Sequence, residues 1–402
     1  MAAGTTEATV APESRPRFET GTILALGIAH CVHDIYPSFL GVLLPTLIAR
    51  FGLSLTVAGL LASVLNLTSV TQPLMGYVID RADPRRWIVI ATAATAVLMS
   101  LLGIAPSVLV AFLLLLGAGL TVAAFHPAAG ALVTQIAAGQ WGKATSLFMT
   151  GGAAGAAIGP LFIAAVVSGV GIDRVWLAAI PGLVYAAILF WGLRRSAGRI
   201  VRQPPGPIGA ALRRQWRPIA ILALAVTFQA TGVVGFVTFY PTYVVRSGQS
   251  LVDAGIAITL FQVGGAIGSL SGGWLSDRVG RRSILMISPL LGVPTLLAAV
   301  VIGVSPVQFP LLVLGGAFMM SAGPVQLVFI QELLPENRST AAGMMFFLTI
   351  GAASLSTIAV GAAGDLIGLE RAVLAGIATG ILALPFVWLL PRRRAAARTV
   401  AA

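Results

Sequence analysis

Residues 273–282 decide the fold, and they read Gly-Trp-Leu-Ser-Asp-Arg-Val-Gly-Arg-Arg. Residues 76–86 read Gly-Tyr-Val-Ile-Asp-Arg-Ala-Asp-Pro-Arg-Arg, so the Asp-Arg pair recurs 197 positions earlier in a chain of 402. Each copy follows one long apolar run and precedes another. We call these two stretches the loop signatures. Their recurrence indicates a chain made of two similar halves.

Composition indicates that most of the chain lies in lipid. Hydrophobic residues make up 57% and charged residues 9%, and the mean hydropathy is +0.96. A soluble protein of this size needs a charged surface, whereas spanning helices need about 20 apolar residues each. The sequence predicts an all-α membrane protein with twelve transmembrane helices in two six-helix bundles. Their expected ranges are 22–48, 56–79, 87–105, 108–136, 143–170, 174–194, 217–245, 252–276, 283–303, 306–332, 339–364 and 370–391.

The formal charge of +12 follows membrane topology rather than a nucleic-acid surface. If the N-terminus lies inside, 21 of the 25 basic residues fall in cytoplasmic segments, and only Arg50, Arg174, Arg246 and Arg371 lie outside. This asymmetry is the positive-inside bias, and it predicts that both termini are cytoplasmic. It also disfavours nucleic acid as a partner.

Five segments follow from these patterns. We expect a disordered cytoplasmic N-terminus over 1–20, because it is polar and lacks the features of a signal peptide. A basic, proline-containing cytoplasmic linker over 195–216 separates the N-terminal bundle, 21–194, from the C-terminal bundle, 217–391. A basic cytoplasmic tail covers 392–402.

The halves also resemble each other before the second helix of each. Residues 54–59 read Ser-Leu-Thr-Val-Ala-Gly, and residues 250–255 read Ser-Leu-Val-Asp-Ala-Gly. Matching segments in the same order indicate a parallel repeat about an axis along the membrane normal. In such folds the substrate site lies near the membrane midplane, between the halves.

On these motifs the chain resembles major facilitator superfamily transporters over residues 20–392. The signature at 273–282 matches fully, whereas Asp83 and Pro84 stand where that family usually has a glycine. His30-Cys-Val-His33-Asp34, Phe125-His126-Pro127 and the stretch from Gln331 to Pro335 are similar to the fosmidomycin-resistance branch of bacterial efflux carriers. The resemblance implies alternating access, with the loop signatures and Glu332 holding the inner gate. Those gating residues are Gly76, Asp80, Arg81, Arg85, Arg86, Gly273, Asp277, Arg278, Arg281, Arg282 and Glu332.

Four ionisable residues in the N-terminal half form the candidate proton-coupling group. Asp34 is the one acid well inside a predicted span, and His30, His33 and His126 are the chain's three histidines. An ionisable group in a membrane is costly and therefore points to function. Asp34 and His126 lie about 17 Å and about 15 Å from the cytoplasmic ends of their helices, at 1.5 Å per residue, so they could meet. Histidine titrates nearest physiological pH, which suits proton transfer.

Two other interpretations of this group stay open. The four residues could be polar groups that pack helices together. With Cys31, they could also serve as ligands of a transition metal that the protein exports, although no second cluster of ligands follows in the C-terminal half.

The fifth span carries the pattern of Gly155, Gly159 and Pro160, preceded by Gly151 and Gly152. Small residues at this spacing allow close helix packing. The pattern resembles the antiporter motif of drug/proton exchangers, except that Leu161, Phe162 and Ile163 replace the glycines that usually follow.

Neutral residues are the candidates for lining the substrate cavity, since no Arg or Lys lies mid-span. They are Tyr36, Phe125, Gln229, Phe236, Tyr240, Phe261, Gln262, Gln326 and Phe346. Apolar walls with a few polar groups suit a small amphiphile. A negatively charged phosphonate would have to rely on protonated histidine.

The sequence therefore predicts a secondary active transporter of the bacterial inner membrane that exports a small amphiphilic molecule or drug by proton antiport. Its partners would be that substrate, protons and the lipid bilayer, and we expect a monomer. No motif for a cofactor or for catalysis is visible, so we expect neither a cofactor nor an enzyme. Proton symport or uniport of a metabolite is the alternative, and a non-transporting receptor on the same fold is a further one.

Overall fold

The computed structural model describes residues 19–79, 83–137, 141–194, 209–334 and 338–391, and these residues contain helices and no strand. Eleven of the described helices are long and apolar enough to cross a membrane, and the shorter apolar helix Leu55–Leu67 begins the remaining span. The predicted all-α fold with twelve spans is confirmed. Most of the predicted cytoplasmic N-terminus (1–20), linker (195–216) and tail (392–402) lies outside the described residues.

The spans are numbered 1 to 12 in chain order. Spans 1 to 6 comprise Thr20–Ile35 with Phe39–Phe51, Leu55–Leu67 with Gln72–Ile79, Pro84–Leu101, Val108–Gln135, Trp141–Val170 and Ala179–Leu193. Spans 7 to 12 comprise Gly209–Arg246, Leu251–Val279, Arg281–Ile302, Gln308–Met320 with Ala322–Leu333, Arg338–Ile367, and Leu369–Thr379 with Ala383–Leu389. Short 3₁₀ turns, Thr68–Thr71, Leu102–Ile104, Ile172–Ala178 and Gly380–Leu382, complete spans 2, 3, 6 and 12.

Two boundaries differ from the sequence prediction. Span 7 begins at Gly209 rather than 217, so the last part of the predicted 195–216 linker is helical. Its Arg213 and Arg214 are exposed, which explains why an apolar criterion placed the start of the helix later. Span 1 is not continuous, because a turn at 36–38 divides it.

The repeated serines are helix caps. The Ser54 hydroxyl accepts a hydrogen bond from the backbone N–H of Val57, and the Ser250 hydroxyl accepts one from that of Asp253. The Asp253 carboxylate in turn accepts the N–H of Ser250, which completes a capping box. The sequence repeat therefore encodes the start of the second helix in each half.

The described halves share one hydrophobic core and keep two separate ones. The shared core includes Leu43, Phe239 and Phe261 and lies away from the connector side, which we define as the side where span 6 ends and span 7 begins. On the connector side, one core contains only residues of the first half, such as Leu132, and the other only residues of the second half, such as Phe329. Among the described residues, the hydrophobic cores of the two halves are thus continuous away from the connector side and separate on the connector side.

Close backbone contacts seal the joined side between spans 2 and 11. A Cβ at Gly59 would lie 2.6 Å from the carbonyl oxygen of Thr357, so a larger residue could not take its place without a shift. One turn further, the Ser63 hydroxyl donates to the carbonyl of Ser354 at 2.9 Å. At the end of the seam, the Asp365 carboxylate accepts the backbone N–H groups of Leu55 and Thr56, both at 2.8 Å.

Candidate proton-coupling site

The break in span 1 comes directly after Asp34. The first helix ends at Ile35, and Pro37 lies in the following turn, where it has no N–H to continue the helical hydrogen bonds. The Ser38 hydroxyl donates to the carbonyl of Ile35 at 2.6 Å, which satisfies one of the groups freed by the break. Irregular backbone at this depth is tolerated where protein or a cavity covers it.

Three of the four predicted residues meet around one carboxylate. The Asp34 carboxylate lies 3.1 Å from Nε2 of His30, one turn back in span 1, and 3.7 Å from Nε2 of His126 in span 4. The side chain of His30 is 3% exposed, whereas Asp34 and His126 are 23% and 32% exposed. The group therefore has one buried member and two that are accessible.

The backbone fixes which nitrogen of each ring carries a hydrogen. His30 Nδ1 lies 2.9 Å from the carbonyl oxygen of Phe148, and His126 Nδ1 lies 3.0 Å from that of Val122. A carbonyl oxygen can only accept, so each Nδ1 is the donor. Each ring therefore turns its other nitrogen, Nε2, toward the Asp34 carboxylate. A hydrogen bond between His30 and Asp34 then requires one additional proton, on the imidazole or on the carboxylate.

His33 stands apart from this hydrogen-bonded group. It is fully buried, and its ring stacks on Phe125 with centroids 4.0 Å apart. Neither ring nitrogen has a hydrogen-bond partner within the described residues, although the His126 ring lies 5.7 Å away, edge-on. His33 and Phe125 thus form the packed wall behind the group, and Phe125 has no exposed surface with which to contact a substrate in this conformation.

The glycines of span 5 hold the group in place. A Cβ at Gly155 would lie 2.1 Å from the Cys31 carbonyl oxygen, and one at Gly159 would lie 1.9 Å from the Ser38 hydroxyl, so spans 1 and 5 pack backbone to backbone. At Gly152 the Cβ would lie 2.5 Å from the His30 ring and 2.9 Å from the Asp34 carboxylate. The fifth-span motif therefore packs against span 1, and Gly152 leaves the space that the paired side chains occupy.

Phe148 is a site residue that the sequence did not reveal. It lies one turn before Gly152, its ring stacks on that of His30 at 4.1 Å, and its carbonyl oxygen orients the imidazole. One phenylalanine among 18 gives no sequence signal of its own.

The same three residues could also surround a metal ion. The ligand atoms of His30, Asp34 and His126 all lie within 4.8 Å of one another. Cys31 and His33, which the sequence placed among possible ligands, are not members of this group of described residues.

The candidate cavity residues of the C-terminal half mostly pack within it. Phe236, Tyr240 and Phe261 have no exposed surface in this conformation. Phe236 stacks on Tyr240 and packs against Phe261 with the two rings tilted. The hydroxyl of Tyr240 accepts a hydrogen bond from the Gln308 amide. These three aromatic side chains belong to the shared core, so they do not line a cavity in this conformation.

Tyr36, from the N-terminal half, is likewise buried. Its hydroxyl donates to the carbonyl of Ala178 at 3.1 Å and accepts the N–H of Gly182 at 2.8 Å, which ties span 1 to span 6. Gln262 is half-buried on span 8, and the side chain of Phe346 lies outside the described part of the structure.

The two glutamines of the C-terminal half form a pair. Gln326 in span 10 donates to the amide oxygen of Gln229 in span 7 at 2.7 Å, and each is 7% exposed. The Gln229 amide donates in turn to the Ser288 hydroxyl and the Met319 carbonyl. Spans 7 and 10 are the repeat counterparts of spans 1 and 4, so a neutral amide pair stands where the first half carries Asp34 and its histidines.

The comparisons with known proteins agree with this architecture. The Major Facilitator Superfamily profile matches residues 26–357 and 248–401. The chain belongs to the major facilitator superfamily. It is 30% identical over 372 residues to an uncharacterized MFS-type transporter, YfnC, of Bacillus subtilis (strain 168), with 88% of each chain covered. It is 27% identical over 373 residues to the Fosmidomycin resistance protein of Escherichia coli (strain K12), with 90% of each covered.

Solved structures show the same fold. A bacterial homolog of the human lysosomal transporter Spinster, in an inward-facing and unoccupied conformation, has a TM-score of 0.78 and 17% identity, covering 94% of this chain and 98% of that one. The nucleoside transporter NupG has a TM-score of 0.73 and 15% identity, covering 92% and 99%. The chain is therefore a multi-pass membrane transporter of this superfamily.

The superfamily's loop signature is described fully only in the second half. Arg281 is largely buried there and binds three groups: Asp277 at 2.5 Å, the Ser276 hydroxyl at 2.6 Å and Glu332 at 3.3 Å. All of these residues belong to the C-terminal half. Asp277 and Glu332 are thus linked through Arg281 within the C-terminal bundle.

In the first signature, Asp80 and Arg81 lie outside the described residues, and Gly76 lies within Gln72–Ile79. Asp83, which departs from the family pattern, caps span 3, since its carboxylate accepts the N–H of Arg85 at 3.1 Å. Pro84 then occupies the first helical turn, where its missing N–H costs nothing.

Proposed function

We propose that this transporter exports a small amphiphilic molecule by exchanging it for protons at His30, Asp34 and His126. The observation that supports this most directly is the orientation of both histidines. Each donates from Nδ1 to a backbone carbonyl and turns Nε2 toward one carboxylate, at 3.1 and 3.7 Å. Such a group binds one proton between its members and releases it when the surroundings change.

Neutralisation of this group's charge would couple proton binding to substrate transport. With one shared proton the group is neutral, and without it the group carries one negative charge. A net charge within the membrane costs several kcal/mol unless it is paired or hydrated. An empty, deprotonated carrier would therefore be slow to reorient, whereas a proton or a substrate that neutralises the group would permit the transition. A carrier that crosses in one direction with a proton and in the other with the substrate is an antiporter.

The conformation suits this scheme. The halves are joined away from the connector side and separate on the connector side. Because 21 of 25 basic residues fall on the connector side of the predicted topology, we infer that this side is cytoplasmic and that the bacterial inner membrane is the location. Asp34 and His126, which are partly exposed, would then be reached from the cytoplasm.

The charge of the substrate remains to be tested with two probes. A cationic amphiphile such as tetraphenylphosphonium would replace the proton at the deprotonated group. Fosmidomycin, a phosphonate suggested by the name of one relative, would instead bind the doubly protonated, positively charged group, so transport of this anion would carry protons with it and would count against exchange. Transport of the cation should therefore increase with pH, and transport of the anion should decrease.

The decisive experiment measures proton and substrate fluxes in the same proteoliposomes between about pH 5.5 and 8, around the reference pKa of histidine. Asp34→Asn should abolish transport against a gradient and leave downhill exchange. His126→Ala should change the pH profile. Unchanged coupling in both variants would refute the proposal. Proton and substrate moving in the same direction would show symport, substrate flux without proton flux would show uniport, and flux that follows Zn²⁺ or Co²⁺ would show a metal exporter.

A further inference from the structure

The arginines of the second loop signature divide between two environments. Arg281 points into the protein and binds Asp277, Ser276 and Glu332. Its neighbours Arg278 and Arg282 lie instead against tryptophan rings. The guanidinium of Arg278 is 3.6 Å from the centroid of the Trp274 ring, and that of Arg282 is 4.3 Å from that of Trp388. The contacts with Asp277, Ser276 and Glu332 therefore account for Arg281 but not for Arg278 and Arg282.

The turn between spans 8 and 9 produces this division. Gly280 has a φ of +93°, in the region that favours glycine, and the chain reverses there between Val279 and Arg281. Arg278 lies in the last turn of span 8, and Arg282 lies in the first turn of span 9, over Trp388 at the end of span 12. Both arginine–tryptophan pairs therefore lie at the connector-side helix ends of the C-terminal bundle.

Both tryptophans face outward. Trp274 is 57% exposed and Trp388 is 60% exposed, although each belongs to a spanning helix. An indole at a helix end has the amphipathic character that the membrane interface favours. When an arginine stacks on an indole, the N–H groups in the plane of its guanidinium remain able to donate hydrogen bonds. Their geometry matches that of a phosphate.

The same pairing occurs elsewhere only on this side among the described residues. Arg194 lies 4.7 Å from the Trp191 ring at the end of span 6, and Arg217 lies 5.5 Å from the Trp216 ring near the start of span 7. On the opposite side, Arg50 lies 5.7 Å from the centroid of a phenylalanine ring, Phe51, and no arginine among the described residues there lies over a tryptophan. The pairing is thus a feature of one membrane leaflet.

We propose that Arg278 with Trp274 and Arg282 with Trp388 form a binding site for an anionic phospholipid. The phosphate is bound by the two guanidinium groups, and the indole rings lie against the upper part of the acyl chains. A zwitterionic lipid also has a phosphate, but its own ammonium group competes with the arginines. The site therefore selects a lipid of net negative charge. This inference does not depend on which solute the protein transports or on proton coupling.

The test is native mass spectrometry of the full-length protein in detergent, with phosphatidylglycerol or phosphatidylcholine added. The wild-type protein should retain phosphatidylglycerol preferentially. The double variant R278Q/R282Q should bind it about thirtyfold more weakly, since each of the two cationic residues near anionic lipid contributes about 1 kcal/mol. Trp274→Leu with Trp388→Leu keeps both charges and should also weaken binding.

The matched control is R246Q/R371Q, which removes two exposed arginines from the opposite side. It should leave phosphatidylglycerol binding unchanged. Equal losses in the two arginine variants would overturn the proposal by showing that charge alone attracts the lipid. Equal retention of both lipids by the wild type would overturn it as well. Thermal unfolding in lipid-free detergent checks that each variant is folded.

Discussion

His30 and His33 lie three positions apart on one helix, yet the protein uses them differently. His30 bonds to Asp34 and to the Phe148 carbonyl, whereas His33 stacks on Phe125 with no hydrogen-bond partner among the described residues. Glutamine replaces either ring with a neutral group. Because a hydrogen bond to a charged group contributes about 1.5–3 kcal/mol, His30→Gln should reduce proton-driven transport by roughly tenfold or more. His33→Gln should retain the proton-to-substrate ratio. Equal loss of coupling in both variants, measured by paired fluxes, would contradict the assignment.

Gly152 tests whether the geometry of the group matters. In Gly152→Ala the new methyl would lie 2.5 Å from the His30 ring and 2.9 Å from the Asp34 carboxylate, so the pair must move apart. We expect a folded protein whose transport responds less to a pH gradient. Gly351→Ala is the matched control, since a Cβ at that helical glycine has no atom within 4 Å. Identical pH responses in the two variants would show that the His30–Asp34 contact is dispensable.

At the scale of helices, an acid from one half caps a helix of the other. Span 8 carries its own capping acid, Asp253, whereas the equivalent position in the first turn of span 2 is Val57. Asp365 at the end of span 11 supplies the missing carboxylate, since it accepts the N–H groups of Leu55 and Thr56 and the Thr56 hydroxyl. The cap exists only while the two halves are joined on this side.

Asp365→Ala should therefore favour opening of the joined side. Loss of a helix cap costs about 0.5–2 kcal/mol, which corresponds to a shift of roughly two- to thirtyfold in the conformational equilibrium. Spin labels on the ends of spans 2 and 11 would report this as a larger population at long distance. Asp253→Ala removes a cap within one bundle and should leave the distance distribution unchanged. A shift of the same size in both variants would mean that the cap does not join the halves.

Some of these features could be predicted from the sequence, and others could not. Apolar runs, the repeated serine caps and the loop signatures identify the twelve spans and their two-fold repeat, because each is a local pattern with a local physical cause. Asp34 and His126 could be paired from their depth along two helices. The cross-half cap by Asp365 could not be predicted, since 309 positions separate it from Thr56. Nor could the burial of Tyr240 and Phe261, because the same aromatic stripe suits a core or a cavity.

At the scale of the whole molecule, two bundles meet through one shared core. Alternating access requires that core to separate while the two connector-side cores approach each other. The candidate proton-coupling group lies in the first bundle, on spans 1 and 4, and the glutamine pair lies in the second, on the counterpart spans 7 and 10. The titratable residues of these two groups thus lie in the N-terminal bundle, and the neutral hydrogen-bonding glutamines lie in the C-terminal bundle.

The central claim is that substrate and proton compete for one group, and proton release on substrate binding tests it most directly. Purified protein in weak buffer with a pH-sensitive dye would be saturated with a transported compound at several values between about pH 5.5 and 8. The wild type should release protons in a pH-dependent amount, and Asp34→Asn, which lacks the carboxylate, should bind the compound more weakly and release none. Equal release by both proteins, or none by the wild type at any pH, would contradict the account.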